Sequence, residues 1–328
     1  MKRFLCLALC VLTAVFVCAC DDGKPSGTIG TEAAASTGTA VPETAAAATT
    51  DVKAEMKAFL ERFDDTQTVG DKLVYKDANI TVTVHGINYA TVEGPELHLT
   101  INNNYGKDIT VQAPYAVING YMITPKLKID VPRGKSASGN LCLSYFNLAI
   151  ADITVIRNIE FSLSVMETDS YNPVFSTELI SVPTSAAPEE QPAYDENGQL
   201  VYDENDIKII LKGVNTDRAY SDGAELTVYM VNGTDRSVAV RTGSVRVNGY
   251  EMTSVMNRTL LSGKHAVDVV TFYRQDMDEY AIDTIDSVNV SFEIKDAETW
   301  ESIDTTGDIA VSLDAPKPAD LPPSQAGE

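Results

Sequence analysis

Apolar and polar residues alternate along most of the chain with a period of two. Ile80, Val82 and Val84 are separated by Thr81 and Thr83, and Leu97, Leu99 and Ile101 by His98 and Thr100. Further on, Ile159, Phe161, Leu163 and Val165 are separated by Glu160, Ser162 and Ser164. Successive side chains of a strand point to opposite faces, so this code predicts strands with one buried face. It returns in Ile207, Ile209 and Leu211, in Leu226, Val228 and Met230, and in Val288, Val290, Phe292 and Ile294. Turn-forming groups punctuate these runs: Glu93-Gly94-Pro95, Asn104-Tyr105-Gly106, Pro132-Arg133-Gly134, Asn232-Gly233 and Ser262-Gly263. Residues 51–65 depart from the code. Val52, Met56, Phe59, Leu60 and Phe63 recur at helical spacing behind Asp51, a residue suited to an N-cap. The polar side of that amphipathic helix mixes Lys53, Lys57 and Arg62 with Glu55, Glu61 and Asp64, which predicts packing onto the first domain rather than onto a membrane. Short helical turns are expected around residues 147–152 and 276–282, where alternation lapses.

The pattern also repeats at long range. Leu73-Val74-Tyr75 and Gly86-Ile87-Asn88 recur 127 positions later as Leu200-Val201-Tyr202 and Gly213-Val214-Asn215. Beyond a two-residue insertion the displacement becomes 129, matching Asn119-Gly120-Tyr121 to Asn248-Gly249-Tyr250 and Gly134-Lys135 to Gly263-Lys264. The units are too long for a solenoid repeat, so the chain reads as a duplication of a whole domain. The two Asn-Gly pairs fit type I′ hairpin turns, whose central residues need positive φ. About seven strands per unit joined by short turns predict an all-β fold: two tandem immunoglobulin-like antiparallel sandwiches over 66–183 and 199–314. Residues 184–198 are Pro-, Ala- and acid-rich and read as a linker, and the tail from Ala315 has no apolar pattern to fold around.

Composition narrows the function. Twenty-five Lys and Arg against 47 Asp and Glu give a net charge of −22, which repels nucleic acid and excludes it as a partner. The N-terminus carries Lys2 and Arg3, an apolar run from Phe4 to Ala19, and then Val17-Cys18-Ala19-Cys20 followed at once by Asp21-Asp22-Gly23. This is the layout of an export signal. Its closing residues resemble the lipobox of bacterial lipoproteins. That resemblance implies cleavage after residue 19, a diacylglyceryl group on Cys20, and a chain held on the extracytoplasmic face of a cell membrane. Residues 20–50, mostly Ala, Thr, Ser and Gly, are expected to be a disordered tether. With the signal removed and Cys20 acylated, Cys142 is the remaining thiol and no intrachain disulfide is expected. The lipobox, the tether and the acidic sandwich units together resemble bacterial lipoproteins with telokin-like, immunoglobulin-like domains, a likeness that implies interaction outside the cytoplasm rather than a reaction.

Motifs for catalysis are missing from the sequence. There is no G-x-S-x-G elbow, H-E-x-x-H helix, P-loop or dinucleotide fingerprint. His85 and His98 fall on the polar sides of their strands, and His265 in an expected turn. Neither metal nor cofactor is expected, and Asp195 to Gly198 and Asp203 to Asp206 only partly resemble calcium loops. Cys142 alternates with Leu141 and Leu143, which predicts an outward thiol. Tyr89, Tyr105, Tyr220 and Tyr229 fall at loops or on polar strand faces and are the candidate binding residues, since tyrosine offers contact area at little entropy cost. The expected function is therefore non-enzymatic: a lipid-anchored module that binds an envelope protein or glycan, or else serves as a structural spacer or assembly factor.

Overall fold

The computed structural model describes residues 52–188, 193–216 and 223–313, so Cys20, the signal, the tether, Tyr220 and the tail lie outside the described residues. The chain is predominantly antiparallel β. Helix α1, Val52–Arg62, lies ahead of the strands and buries Phe59, with Phe63 just after it packed against Tyr89 and Tyr145 at 5.8 and 5.5 Å between ring centroids.

In the first half a five-stranded sheet runs in the order Lys72–Lys76, Ile80–Asn88, Glu96–Asn103, Ser136–Leu143, Pro125–Lys126. The alternation explains its layers. Ile80, Val82, Val84, Leu97, Leu99 and Ile101 are fully buried, while Thr81, Thr83, His98 and Thr100 lie on the other face. A four-stranded sheet supplies buried Ile109, Val111, Ile129, Val131 and Val165 to the same core. In the second half, Val238–Val247 and Val288–Asp296 are the centre of a six-stranded sheet whose buried residues share a core with Ile209, Leu211, Leu226, Val228 and Met230.

Local detail repeats with the sequence. Bulges fall between Leu73 and Tyr75 and between Val84 and Gly86, and again between Leu200 and Tyr202 and between Leu211 and Gly213. Asn119 and Gly120 have φ of 49° and 93°, and Asn248 and Gly249 have 51° and 86°. Asparagine does more here than tolerate positive φ. In each half its side chain donates to a distant carbonyl, of Val155 or Thr284, and accepts from two backbone N–H groups, of Arg157 and Asn158 or of Asp286 and Ser287. The short helices α2, Tyr145–Ile150, and α3, Arg274–Glu279, occupy matching positions a few residues earlier than the sequence pattern suggested.

The halves are fused rather than strung on a linker. Strands Ile180–Pro183, Asn158–Phe161, Ala116–Ile118 and Tyr121–Ile123 of the first half continue into His265–Tyr273, Gly223–Asn232, Ile207–Asn215 and Gln199–Glu204 of the second, as one eight-stranded sheet. The seam is a short parallel pairing of Tyr121 with His265 and Met122 with Ala266. Side chains cross it in both directions: Ile210, Tyr229 and Val267 pack with the first core, and Val117 and Met122 with the second. This is why Ile207–Asn215 and Gly223–Asn232 are buried on both faces.

The structure departs from the sequence pattern at Cys142 and at residues 184–198. Cys142 is buried, because Pro125–Lys126 pairs alongside it. Burial pushes its thiol pKa up, which opposes formation of a reactive thiolate. The described part of the 184–198 segment is mostly exposed, but it is held to the sheets rather than running free as a linker. Tyr194 lies 4.7 Å from the Tyr229 ring, and Lys212 donates to the carbonyls of Asp195, at 2.5 Å, and of Asn197.

Candidate functional site

The outward face of the five-stranded sheet is polar and hydrogen-bonded across strands. His85, the extra residue of a bulge, turns its ring onto this face. Its Nδ1 lies 2.7 Å from Asp71 Oδ1 and its Nε2 2.9 Å from Thr100 Oγ1, which in turn lies 2.8 Å from Ser138 Oγ. A second chain runs from His98 Nδ1 to Asn140 Oδ1 at 2.6 Å, and from Asn140 Nδ2 to Glu96 Oε2 at 2.8 Å. Carboxylate, imidazole and hydroxyl in that order are the parts of an acid–base relay. Here they lie open on a sheet, with the His85 and Asp71 side chains 44% and 79% exposed, so water screens the coupling that would activate the hydroxyl. What the arrangement does is fix the direction of each donor and acceptor. His85 thus has the carboxylate neighbour that the sequence did not reveal, since Asp71 is brought to it only by pairing of Lys72–Lys76 with Ile80–Asn88.

The corresponding face of the second half is covered. Thr83, His85, Thr100, Ser136 and Ser138 correspond to Ile210, Lys212, Tyr229, His265 and Val267. On this face sits the Asn119-Gly120-Tyr121 turn. Tyr121 lies 5.3 Å from the His265 ring, the His265 N–H donates to the Gly120 carbonyl at 3.1 Å, and Tyr229 and His265 Nδ1 share a hydrogen bond at 2.8 Å. Tyr194 adds its ring and donates its N–H to the Tyr121 hydroxyl. Lys212 is fully buried, with Nζ 5.3 Å from the centre of the Tyr194 ring. Lys264–Glu160 at 2.7 Å and Arg258 to Thr124 at 3.1 Å close the rim.

Of the tyrosines singled out by sequence, Tyr229 is buried in this joint and is no surface contact, because the first half covers its sheet face. Tyr89 packs on Phe63, with its hydroxyl buried and without a hydrogen-bond partner among the described residues. Tyr105 is half-buried and donates to Glu167 at 3.3 Å. These three sit in separate places and form no common surface. His265 opens a strand rather than a turn. The joint was nonetheless written in the sequence, as apolar residues at outward positions in one copy only: Ile210 for Thr83, Tyr229 for Thr100, Val267 for Ser138. Elsewhere, a polar recess of about 380 Å³ opens on the six-stranded sheet between Ser244, Ser291 and Asp308, but its Arg246 is already paired with Asp308 and Glu251 at 2.9 and 3.1 Å. Asp195 and Glu196 are engaged by Lys212 and Lys208, at 3.7 and 2.8 Å.

The joint makes stability depend on pH at both ends. Burial raises the pKa values of Tyr121 and Tyr229 above the usual 10.0. Above pH 10 the unfolded chain therefore loses phenolic protons that the folded joint keeps, and stability falls as pH rises, by about 1.4 kcal/mol per unit for each tyrosine. Lys212, whose pKa is lowered from 10.5 by burial, acts in the opposite direction just below that value. Burial lowers the pKa of His265 below 6.5, so stability also falls as pH drops through 6.5, where the unfolded chain takes up a proton that the joint resists. Urea midpoints between pH 5 and 11 should trace a plateau with losses at both ends, and replacing His265 by Asn should flatten the acid limb.

No protein-family model matches the chain, and no curated protein matches it. Among solved structures, the YadV chaperone is 12% identical over 66% of this chain and 92% of its own, with a TM-score of 0.22. A protein of unknown function from Porphyromonas gingivalis W83 is 14% identical over 69% and 92%, with a TM-score of 0.19. Red sea bream transglutaminase is 11% identical over 74% of this chain and 31% of its own, with a TM-score of 0.18. Likenesses this distant carry no argument about function.

Proposed function

We propose that the chain is a non-enzymatic, lipid-anchored protein of the extracytoplasmic face of a cell membrane. Its two immunoglobulin-like sandwiches would bind a protein partner on the open polar face of the first. The single observation that supports this is the difference between the two copies of that face. In the second half it already receives a tyrosine-tipped turn; in the first no described residue covers it, and it carries ordered hydroxyl, amide, imidazole and carboxylate groups. An oriented set of donors and acceptors that includes the Asp71 and Glu96 carboxylates suits a partner backbone or polar loop, and such contacts give specificity more than raw affinity. The anchor follows from Cys20 and its lipobox-like surroundings. Its two acyl chains suffice for stable attachment, at about 0.8 kcal/mol per buried methylene. The fused joint favours a second reading, a spacer that holds two surfaces at a fixed angle.

Two experiments test the proposal. Cys20→Ala should move the full-length chain from the membrane to the soluble fraction, and continued membrane retention would refute the anchor. Capture of envelope proteins on the intact chain should be lost with Thr100→Lys and Ser138→Lys, which place charge on the open face without touching the core. If captured proteins are unaffected, the face is not the binding surface and the spacer reading stands.

A further inference from the structure

Two complementary surfaces meet inside the molecule, and each has an unused duplicate. One is the Asn-Gly-Tyr turn with its short edge strand. The copy at Tyr121–Ile123 is seated on His265–Tyr273, whereas among the described residues the copy at Tyr250–Glu251 pairs with Val238–Val247 alone. Tyr250 is 47% exposed and stacks on Tyr280, itself 37% exposed, at 4.8 Å and 14°. The other surface is the receiving edge. His265 and Ala266 are used; among the described residues their duplicates Ser136 and Ala137 pair only with Glu96–Asn103, and Pro125–Lys126 covers that strand further on, at Cys142 and Leu143. One chain therefore carries an open turn at one end and an open receiving edge at the other.

We propose that the open face binds a second copy of this chain, head to tail, through the contact already made between the halves. This deepens the reading of the first-half face as a docking surface and rests on it. The joint supplies the register: Tyr250 of one copy beside Ser136 of the next, Glu251 beside Ala137, and the Ser136 N–H donating to the Gly249 carbonyl as that of His265 donates to Gly120. Such a contact is heterologous, so each copy keeps one free turn and one free edge, and association continues beyond a dimer. It is weaker than the joint. Tyr229, His265 and Val267 are replaced by Thr100, Ser136 and Ser138, and the Lys264–Glu160 ion pair by Lys135 facing Asn289. Tyrosine tolerates this change, since its ring and hydroxyl can lie on a polar face. Tethering copies to one membrane raises their effective concentration and offsets the lost burial.

Cysteine cross-linking of the full-length chain in its membrane tests this. Strand neighbours have Cα atoms close enough for a disulfide. Ala137→Cys with Glu251→Cys in one chain should shift the electrophoretic mass to dimers, trimers and higher multiples on mild oxidation. Each single variant alone should stay monomeric, and the two single variants mixed should stop at the dimer. Met122→Cys with Ala266→Cys, the equivalent pair inside the joint, is the control that closes within one chain. A monomeric double variant beside a closed control would overturn the proposal, as would dimers from either single variant, which would mean a symmetric contact. If the double variant stays monomeric while Thr100→Lys still abolishes capture of another protein, self-association is wrong and the docking face remains; if neither responds, both fail.

Discussion

Truncating Tyr229 to alanine is expected to cost about 3–5 kcal/mol, the range for emptying a buried aromatic site. Its ring is 2% exposed, packs on Tyr194 and lies parallel to His265 at 6.0 Å, and its hydroxyl is bonded to His265. Removal leaves a void where two cores meet and leaves Nδ1 of His265 without that partner. The effect should exceed simple loss of area, because Tyr229 belongs to the second half by sequence and to the first core by contact. The cooperative urea transition of the parent should separate into two, one per half, when followed by fluorescence and by circular dichroism. A single transition with an unchanged midpoint would show that the seam does not couple the halves. Thr100→Ala, at the matching position of the open face, should leave the midpoint nearly unchanged.

Alanine at Gly94 or Gly223 should be more damaging still. These glycines match across the duplication, have φ of 150° and 159°, and lie where the chain passes against the carbonyl of Leu143 or Phe272, just ahead of α2 or α3. A Cβ would fall 1.9 Å from that oxygen in either half, and the obstacle is backbone rather than a side chain that could swing away. Relief requires the strand to move off its neighbour, at a cost above the roughly 1–3 kcal/mol of an ordinary overpacked core. Little soluble folded protein is expected from either variant. Gly249→Ala is the comparison: φ is 86° but nothing lies within 4 Å, so the cost should be only the roughly 1–2 kcal/mol of left-handed backbone. Soluble yield and urea midpoints measured in parallel check both. Equal behaviour at Gly223 and Gly249 would show that the close approach is not what requires glycine.

What the sequence made legible was the inside of each half. Ile80, Val82 and Val84, or Val288, Val290 and Phe292, face their cores because a period of two leaves no other face to bury. Asn119 and Asn248 sit in tight turns because few residues accept their φ. Periodicity could not show what covers an outward face. Tyr229 reads as outward on strand Gly223–Asn232, and it is; the first half happens to lie there. Tyr89 follows Asn88 into a loop, but Phe63 at the end of the helical segment needs cover and takes its ring. Lys212 is a bulge residue like His85, and only the return of Asp195 to Asn197 across it turns a solvated cation into a buried one. Each of these outcomes depends on an element far along the chain. The one local trace was a mismatch between copies, where an outward polar residue in one corresponds to an apolar residue in the other.

The seam joins Tyr121 and Met122 to residues that come about 140 positions later in the chain. A chain that crosses the membrane from its N-terminus, as the proposed anchor requires, delivers the first half before the strand that covers its Tyr121 edge. Throughout that interval an unpaired backbone edge flanked by tyrosine and methionine stands in solution, the kind of surface through which growing chains stick to one another. Biogenesis of this protein should therefore depend on a factor that shields that edge until His265 arrives, and shortening the second half should trap the newborn chain in aggregates rather than yield a smaller soluble one.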